Sequence, residues 1–216
     1  MKQLRLWFAT FVLAMAACAS HAQIPDLHPF LSESQLAKHQ ATITRLENYL
    51  SGLSTITSDF TQVAPDGSLT GGKFFLKRPG KMRWQYNPPT PILMVSDGRE
   101  LVFYDYELQQ VTHIPLDSTL IGFLAKEKIS FSGELGIRDF SQNRGAIRIT
   151  VAQREKPGEG ELTLEFTDKP LSIRNFVIRD TTGQTTTVSL GNARFGQALD
   201  KELFIFRDPR KERRKQ

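Results

Sequence analysis

The stretch from Lys73 to His113 constrains the fold more than any other part of the chain. Its runs are rich in aromatic and β-branched residues, and two turn dipeptides, Pro79-Gly80 and Asp97-Gly98, interrupt them. Asp-Gly between apolar runs is a strong hairpin signal, because glycine takes positive φ without a Cβ clash. Proline pre-sets φ at the first corner of Pro-Gly. The pattern predicts antiparallel strands near 70–78, 81–87, 91–96, 100–106 and 109–114. Side chains alternate faces along a strand, so Met82, Trp84 and Tyr86 share one side of 81–87, and Lys81, Arg83 and Gln85 the other. Parity leaves Arg78 open. A two-residue turn pairing 78 with 81 puts it on the side of Lys81, as an exposed arginine. A bulge moves it to the side of Met82 and Trp84, where a buried guanidinium must find acceptors.

The pattern continues on both sides. Residues 54–63 alternate without a cleanly apolar face. Strands are predicted again at 146–153, 161–167, 171–179, 184–190 and near 202–206, separated by Pro157-Gly158, Asp168 to Pro170 and Thr182-Gly183. Residues 31–52 read as one amphipathic helix capped by Ser32 or Ser34 and stopped by Gly52, with Leu36, Ile43, Leu46, Tyr49 and Leu50 on its apolar side. A second, short helical segment follows Asp117-Ser118. In it Leu120, Ile121, Phe123 and Leu124 are apolar nearly all round, so it must be buried or cover something; Gly122 lowers its helix propensity, as suits an element that moves. The prediction is a mainly β fold with helices: about eleven strands in a curled antiparallel sheet, an open barrel carrying helices on its concave face.

Residues 1–22 read as a secretory signal peptide. Lys2 and Arg5 precede the apolar core Leu6–Ala17, and Ser20-His21-Ala22 is a cleavage site, with Gln23 the mature start. Met15-Ala16-Ala17-Cys18 offers an alternative: it resembles a lipobox and would place a lipidated Cys18 at the terminus. Cys18 is the sole cysteine, so cleavage after Ala22 leaves no disulfide and no thiol chemistry. The formal charge of +5 is uneven. Residues 1–22 hold two positive charges and no negative one, and Arg207–Gln216 holds six Lys/Arg against two Asp/Glu. The body, 23–206, is therefore near −1, which argues against a nucleic-acid surface; 207–216 reads as a basic, mobile tail. His21, His28, His39 and His113 are scattered, and no HExxH, G-x-S-x-G or glycine-rich phosphate loop is present. No catalytic site, metal or cofactor is expected.

An ordered set of motifs carries a family resemblance: Phe60-x-Gln62, Lys77-Arg78-Pro79, Arg83-Trp84, Val95-Ser96-Asp97-Gly98, Tyr104-Asp105 and Leu108-x-Gln110-Val111-Thr112. Together they resemble the periplasmic outer-membrane lipoprotein carrier proteins, the LolA family, most densely over 54–127 and more thinly to Phe206. The resemblance implies an incomplete antiparallel barrel over 23–206 whose helices lid an apolar cavity. It implies a monomeric, non-enzymatic periplasmic chaperone. Such a chaperone takes acylated lipoproteins from an inner-membrane ABC-type release complex and gives them to an outer-membrane receptor. It places the family's lid-latching arginine at Arg78 and a cavity residue at Met82, followed on the same face by Trp84 and Tyr86. Phe60 and the lid residues Leu120, Ile121, Phe123 and Leu124 complete the expected acyl-chain cavity. Two other roles fit the same fold: a membrane-anchored lipoprotein acceptor, if Cys18 is lipidated, and a lipoprotein-sensing regulator.

Overall fold

The computed structural model describes residues 29–213; the predicted leader, Cys18, Gln23 and His28 lie outside them. Among the described residues eleven strands form one open antiparallel sheet: β1 (Thr55–Val63), β2 (Leu69–Lys77), β3 (Lys81–Tyr86), β4 (Ile92–Asp97), β5 (Glu100–Asp105), β6 (Gln110–Pro115), β7 (Leu135–Asn143), β8 (Ala146–Gln153), β9 (Glu161–Asp168), β10 (Leu171–Arg179) and β11 (Thr185–Phe195). Their order is β6-β5-β4-β3-β2-β1-β11-β10-β9-β8-β7. The predicted fold class is found, as are ten of the predicted strands, with shifted ends.

Two assignments change. The apolar run at 202–206 predicts a strand, but Lys201–Phe204 is a 3-10 helix. Asp200 accepts the Glu202 amide proton through its carboxylate at 3.0 Å, which bends the backbone before pairing can begin. Conversely, β7 escapes the period-2 pattern because a bulge between Ile137 and Asp139 breaks its alternation.

The predicted helix 31–52 is two helices, α1 (Glu33–Ala37) and α2 (Gln40–Gly52). Ser32 and Gln35 form a capping box on α1, with the Ser32 amide donating to Gln35 Oε1 at 2.9 Å. No apolar side chain larger than alanine occurs between Leu36 and Ile43, so nothing buried holds the first turn in phase with the rest.

By contacts the chain divides into two compact units. The first holds α1, most of α2, β7–β10 and most of β11. Ile43, Leu46 and Leu50 of α2 are buried, as are Ile147, Ile149, Val151, Leu162, Leu164, Phe166 and Phe176 on the alternating positions of β8–β10. Polar contacts fix the helix: the Ile173 amide donates to the Tyr49 hydroxyl at 3.2 Å, the Phe131 amide to Glu47 at 2.7 Å, and Arg45 pairs with Asp168. Leu46 has no exposed surface. Leu46→Ala is expected to cost about 2–5 kcal/mol through lost burial and a residual cavity. Urea unfolding should show this as a lower midpoint at constant m-value. In the same unit Arg138 and Glu161 form a buried ion pair at 3.2 Å. Phe30 lies 4.5 Å from the Arg138 guanidinium, over Gly136, where a Cβ would come within 2.4 Å of the ring.

The second unit holds most of β1, β2–β6, the 3-10 turns Leu116–Ser118 and Leu120–Ala125, and the chain after Gly191. β4 is buried on both faces. On one face Trp84 pairs with Met94 and Met82 with Ser96. On the other, Leu93, Val95 and Tyr104 form a cluster joined by Val111 and Phe206.

Candidate functional site

The site is built at the turn between β2 and β3. Lys77 pairs with Lys81, which leaves Arg78, Pro79 and Gly80 as a three-residue loop. Gly80 closes it at φ +76, the left-handed geometry that such a loop needs at its last position. A side chain could not replace it, because a Cβ on Gly80 would come within 2.5 Å of Gly98 Cα. The two turn dipeptides singled out in the sequence thus touch. Ser96 binds them: its buried hydroxyl donates to the Gly80 carbonyl at 2.8 Å and accepts from the Gly98 amide at 3.3 Å.

This turn holds the end of the 3-10 helix Leu120–Ala125 through two consecutive carbonyls. The half-buried Arg78 guanidinium donates from Nε at 2.9 Å and from Nη2 at 2.7 Å to Leu124 O. The Gly80 amide donates to Ala125 O at 2.8 Å. Carbonyls at a helix end lack partners within the helix, and a cation there also meets the negative end of its dipole. Burial pulls Arg78 down from the ordinary arginine range to about 10, so it stays cationic at neutral pH.

The 3-10 helix is tied internally as well. Thr119 Oγ1 donates to Leu116 O at 2.8 Å and accepts from the Gly122 amide at 3.0 Å. Gly122 has a packing reason in addition to its low propensity: a Cβ there would lie 2.2 Å from Leu116 O. Leu120, Phe123 and Leu124 are buried, and Ile121 is half-buried.

Beside the turn lies an aromatic group. Phe60 of β1 meets Trp84 and Tyr86 of β3 edge-on, each with ring centroids 5.0 Å apart, and Phe74 of β2 lies 4.1 Å from Trp84. All four are buried, and burial pushes the Tyr86 phenol above its usual range. Met82 has no exposed surface, and its cross-strand partner is the Ser96 that holds the turn. The candidate residues therefore fall into an aromatic cluster and a turn-to-helix contact, with Met82 paired to the Ser96 that holds the turn.

Ser96 and the Gly80 amide were not among the residues picked from the sequence as a site. A serine ending the apolar run Ile92–Val95, on a face shared with Met82, was the available signal. Two cations on the opposite parity were also missed. Arg83 donates to Leu203 O at 3.2 Å and Lys77 to Leu199 O at 3.1 Å, so both hold the C-terminal segment.

The outer membrane lipoprotein carrier protein LolA family model matches residues 51–207. The chain belongs to this family. It is 31% identical over 174 residues to an outer-membrane lipoprotein carrier protein of Methylococcus capsulatus, covering 77% of this chain and 83% of that one. A carrier protein of Pseudomonas aeruginosa is 28% identical over 214 residues, covering 95% of this chain and 96% of its own. One from Azotobacter vinelandii is 31% identical over 183 residues, covering 79% and 86%. The match includes the Arg78 turn, the aromatic cluster and the 3-10 helix.

Proposed function

We propose that this chain is a periplasmic chaperone that binds the acyl chains of lipoproteins released from the inner membrane and delivers them to an outer-membrane receptor. The observation that carries this reading is family membership over 51–207, with relatives named as lipoprotein carriers that align along most of their length. The family is one of carriers, not of enzymes. In this reading residues 1–22 are a cleaved leader, 23–206 the carrier body and 207–216 a basic tail. The protein works as a monomer between an ABC-type release complex and the receptor. Phe60, Met82, Trp84 and Tyr86 line the acyl site, Leu120, Ile121, Phe123 and Leu124 form a lid, and Arg78 latches it.

Magnitudes explain why a latched lid suits a carrier. Burying methylenes gains about 0.8 kcal/mol each, so one acyl chain is worth roughly 10 kcal/mol. Several chains in a perfect site would pass the practical ceiling near 20 kcal/mol and would not leave. A site whose aromatic side chains pack against one another, and whose lid is pinned by a guanidinium, sets a cost against loading. The cargo then remains transferable.

The test is mass spectrometry of protein released from the periplasm without detergent. A mature chain beginning at Gln23, co-purifying with acylated protein, is the expected result. A chain that cannot keep a purified triacylated lipoprotein in solution would refute the carrier reading. A diacylglycerol-modified Cys18 would make the chain the anchored acceptor instead.

A further inference from the structure

Neither Arg78 nor Gly80 sets its own orientation. Both belong to the short loop between Lys77 and Lys81, and that loop must meet two consecutive carbonyls at once. The guanidinium has to reach Leu124 O while the Gly80 amide reaches Ala125 O. Glycine is the residue least able to hold such a pose, because it moves readily through both signs of φ. Its φ of +76 therefore needs a constraint from outside the loop.

Ser96, near the end of β4, supplies that constraint. It has no exposed surface, and its hydroxyl donates to Gly80 O at 2.8 Å while accepting from the Gly98 amide at 3.3 Å. The second turn is itself fixed, since Asp97 Oδ1 accepts from the Arg99 amide at 3.0 Å. The hydroxyl thus ties the mobile loop to one that is already held. Both polar groups of Gly80 are then committed: its amide to the 3-10 helix and its carbonyl to β4.

We infer that Ser96 is a positioning residue for the latch. Its hydroxyl holds the Arg78–Gly80 loop in the pose from which guanidinium and amide reach both carbonyls together, and so governs how fast cargo is handed over. The inference deepens the carrier reading, and its hand-over part rests on that reading; the pose of Gly80 is measurable without cargo. A buried serine can also be a packing residue and nothing more, and Ser58 of β1 provides the comparison. It is 1% exposed, and its hydroxyl donates to the Asp59 and Gly191 carbonyls, both at 2.7 Å. Neither bond goes to a turn of the latch.

Ser96→Ala deletes one oxygen and leaves the β3–β4 and β4–β5 ladders in place. It should slow hand-over of a purified triacylated lipoprotein to an acceptor about three- to tenfold, with uptake unchanged. In the Arg78→Leu background the same change should matter less than it does alone, because residues acting as one unit do not add. Ser96→Cys keeps a weaker donor of similar shape and should recover part of the rate. Hydrogen exchange at the Gly80 amide should quicken in Ser96→Ala and keep the parental rate in Ser58→Ala. Ser58→Ala should lower the urea midpoint yet hand over cargo as the parent does. A Gly80 amide as protected in Ser96→Ala as in the parent would overturn the proposal. So would equal slowing by Ser58→Ala, or effects of Ser96→Ala and Arg78→Leu that multiply in full. A parent that hands over no lipoprotein would count against the carrier reading instead, and the exchange comparison would still decide the role of Ser96.

Discussion

Arg78→Leu is expected to fold, to take up acylated cargo, and to hand it to an acceptor at least about tenfold more slowly than the parent. The two guanidinium bonds converge on one carbonyl, Leu124 O. A hydrogen bond to a charged group contributes about 1.5–3 kcal/mol, and two on one acceptor contribute less than twice that. The desolvation that pulls Arg78 to about 10 offsets part of the gain. A net pin of about 2–3 kcal/mol shifts the closed-to-open ratio by roughly 30- to 150-fold. Without it the closed state no longer competes with bound acyl chains, so loading persists while release slows. The fold survives because the Arg78 amide still donates to Ser54 O at 2.9 Å and the β2–β3 ladder is untouched. The Gly80 amide is the reporter. It donates to Ala125 O and owes nothing to the arginine side chain. If Arg78 is the latch, hydrogen exchange at Gly80 speeds up in Arg78→Leu with little change in α2. A Gly80 amide as protected as in the parent, together with normal hand-over in a two-component transfer assay, would falsify the latch role. Arg78→Lys should fall between, since an ammonium keeps the charge but loses the planar fork.

How far the sequence carried depended on whether local chemistry and tertiary packing agreed. Turn dipeptides located β2–β6 and β8–β11, and alternate burial reinforces the signal in strands such as β3 and β8. β7 was hidden by its bulge, which places Arg138 among buried residues and ruins the period. The last predicted strand failed for the opposite reason: Leu203–Phe206 is a continuous apolar run rich enough for a strand, but a single carboxylate at Asp200 turns the chain into a 3-10 helix before pairing is possible. At the site, parity could not choose an orientation for Arg78, because the answer depends on a loop of three residues between Lys77 and Lys81. The sequence marks the turn but not its length. The Gly80 amide and Ser96 hydroxyl were invisible for a deeper reason. The amide's partner, Ala125 O, comes near only when the 3-10 helix packs on the turn, and the hydroxyl's partners at Gly80 and Gly98 only when the two turns meet.

Gly122→Ala should produce the larger loss of stability and separate a broken lid from an unlatched one. The added methyl would sit 2.2 Å from Leu116 O and 2.9 Å from Thr119 Oγ1. The first of these is backbone, so the clash cannot be relieved by rotating a side chain, and the 3-10 helix must lift from the preceding turn. Lifting it breaks the Thr119 bonds to Leu116 O and from the Gly122 amide. It also exposes Leu120, Phe123 and Leu124, now 5% exposed or less. Overpacking and lost burial of this kind cost about 2–4 kcal/mol. A lower thermal midpoint is expected, with rapid exchange at Gly80, Gly122 and Lys126 together. Arg78→Leu should speed exchange at Gly80 while sparing Gly122, whose amide is held within the helix by Thr119. The two variants also diverge in function. An unlatched lid still covers cargo once it is bound, whereas a displaced one leaves acyl chains open to water. Gly122→Ala should therefore lose bound lipoprotein to aggregation rather than merely retain it. Equal stability of Gly122→Ala and parent in urea would mean that the 3-10 helix does not rest on Leu116 in solution.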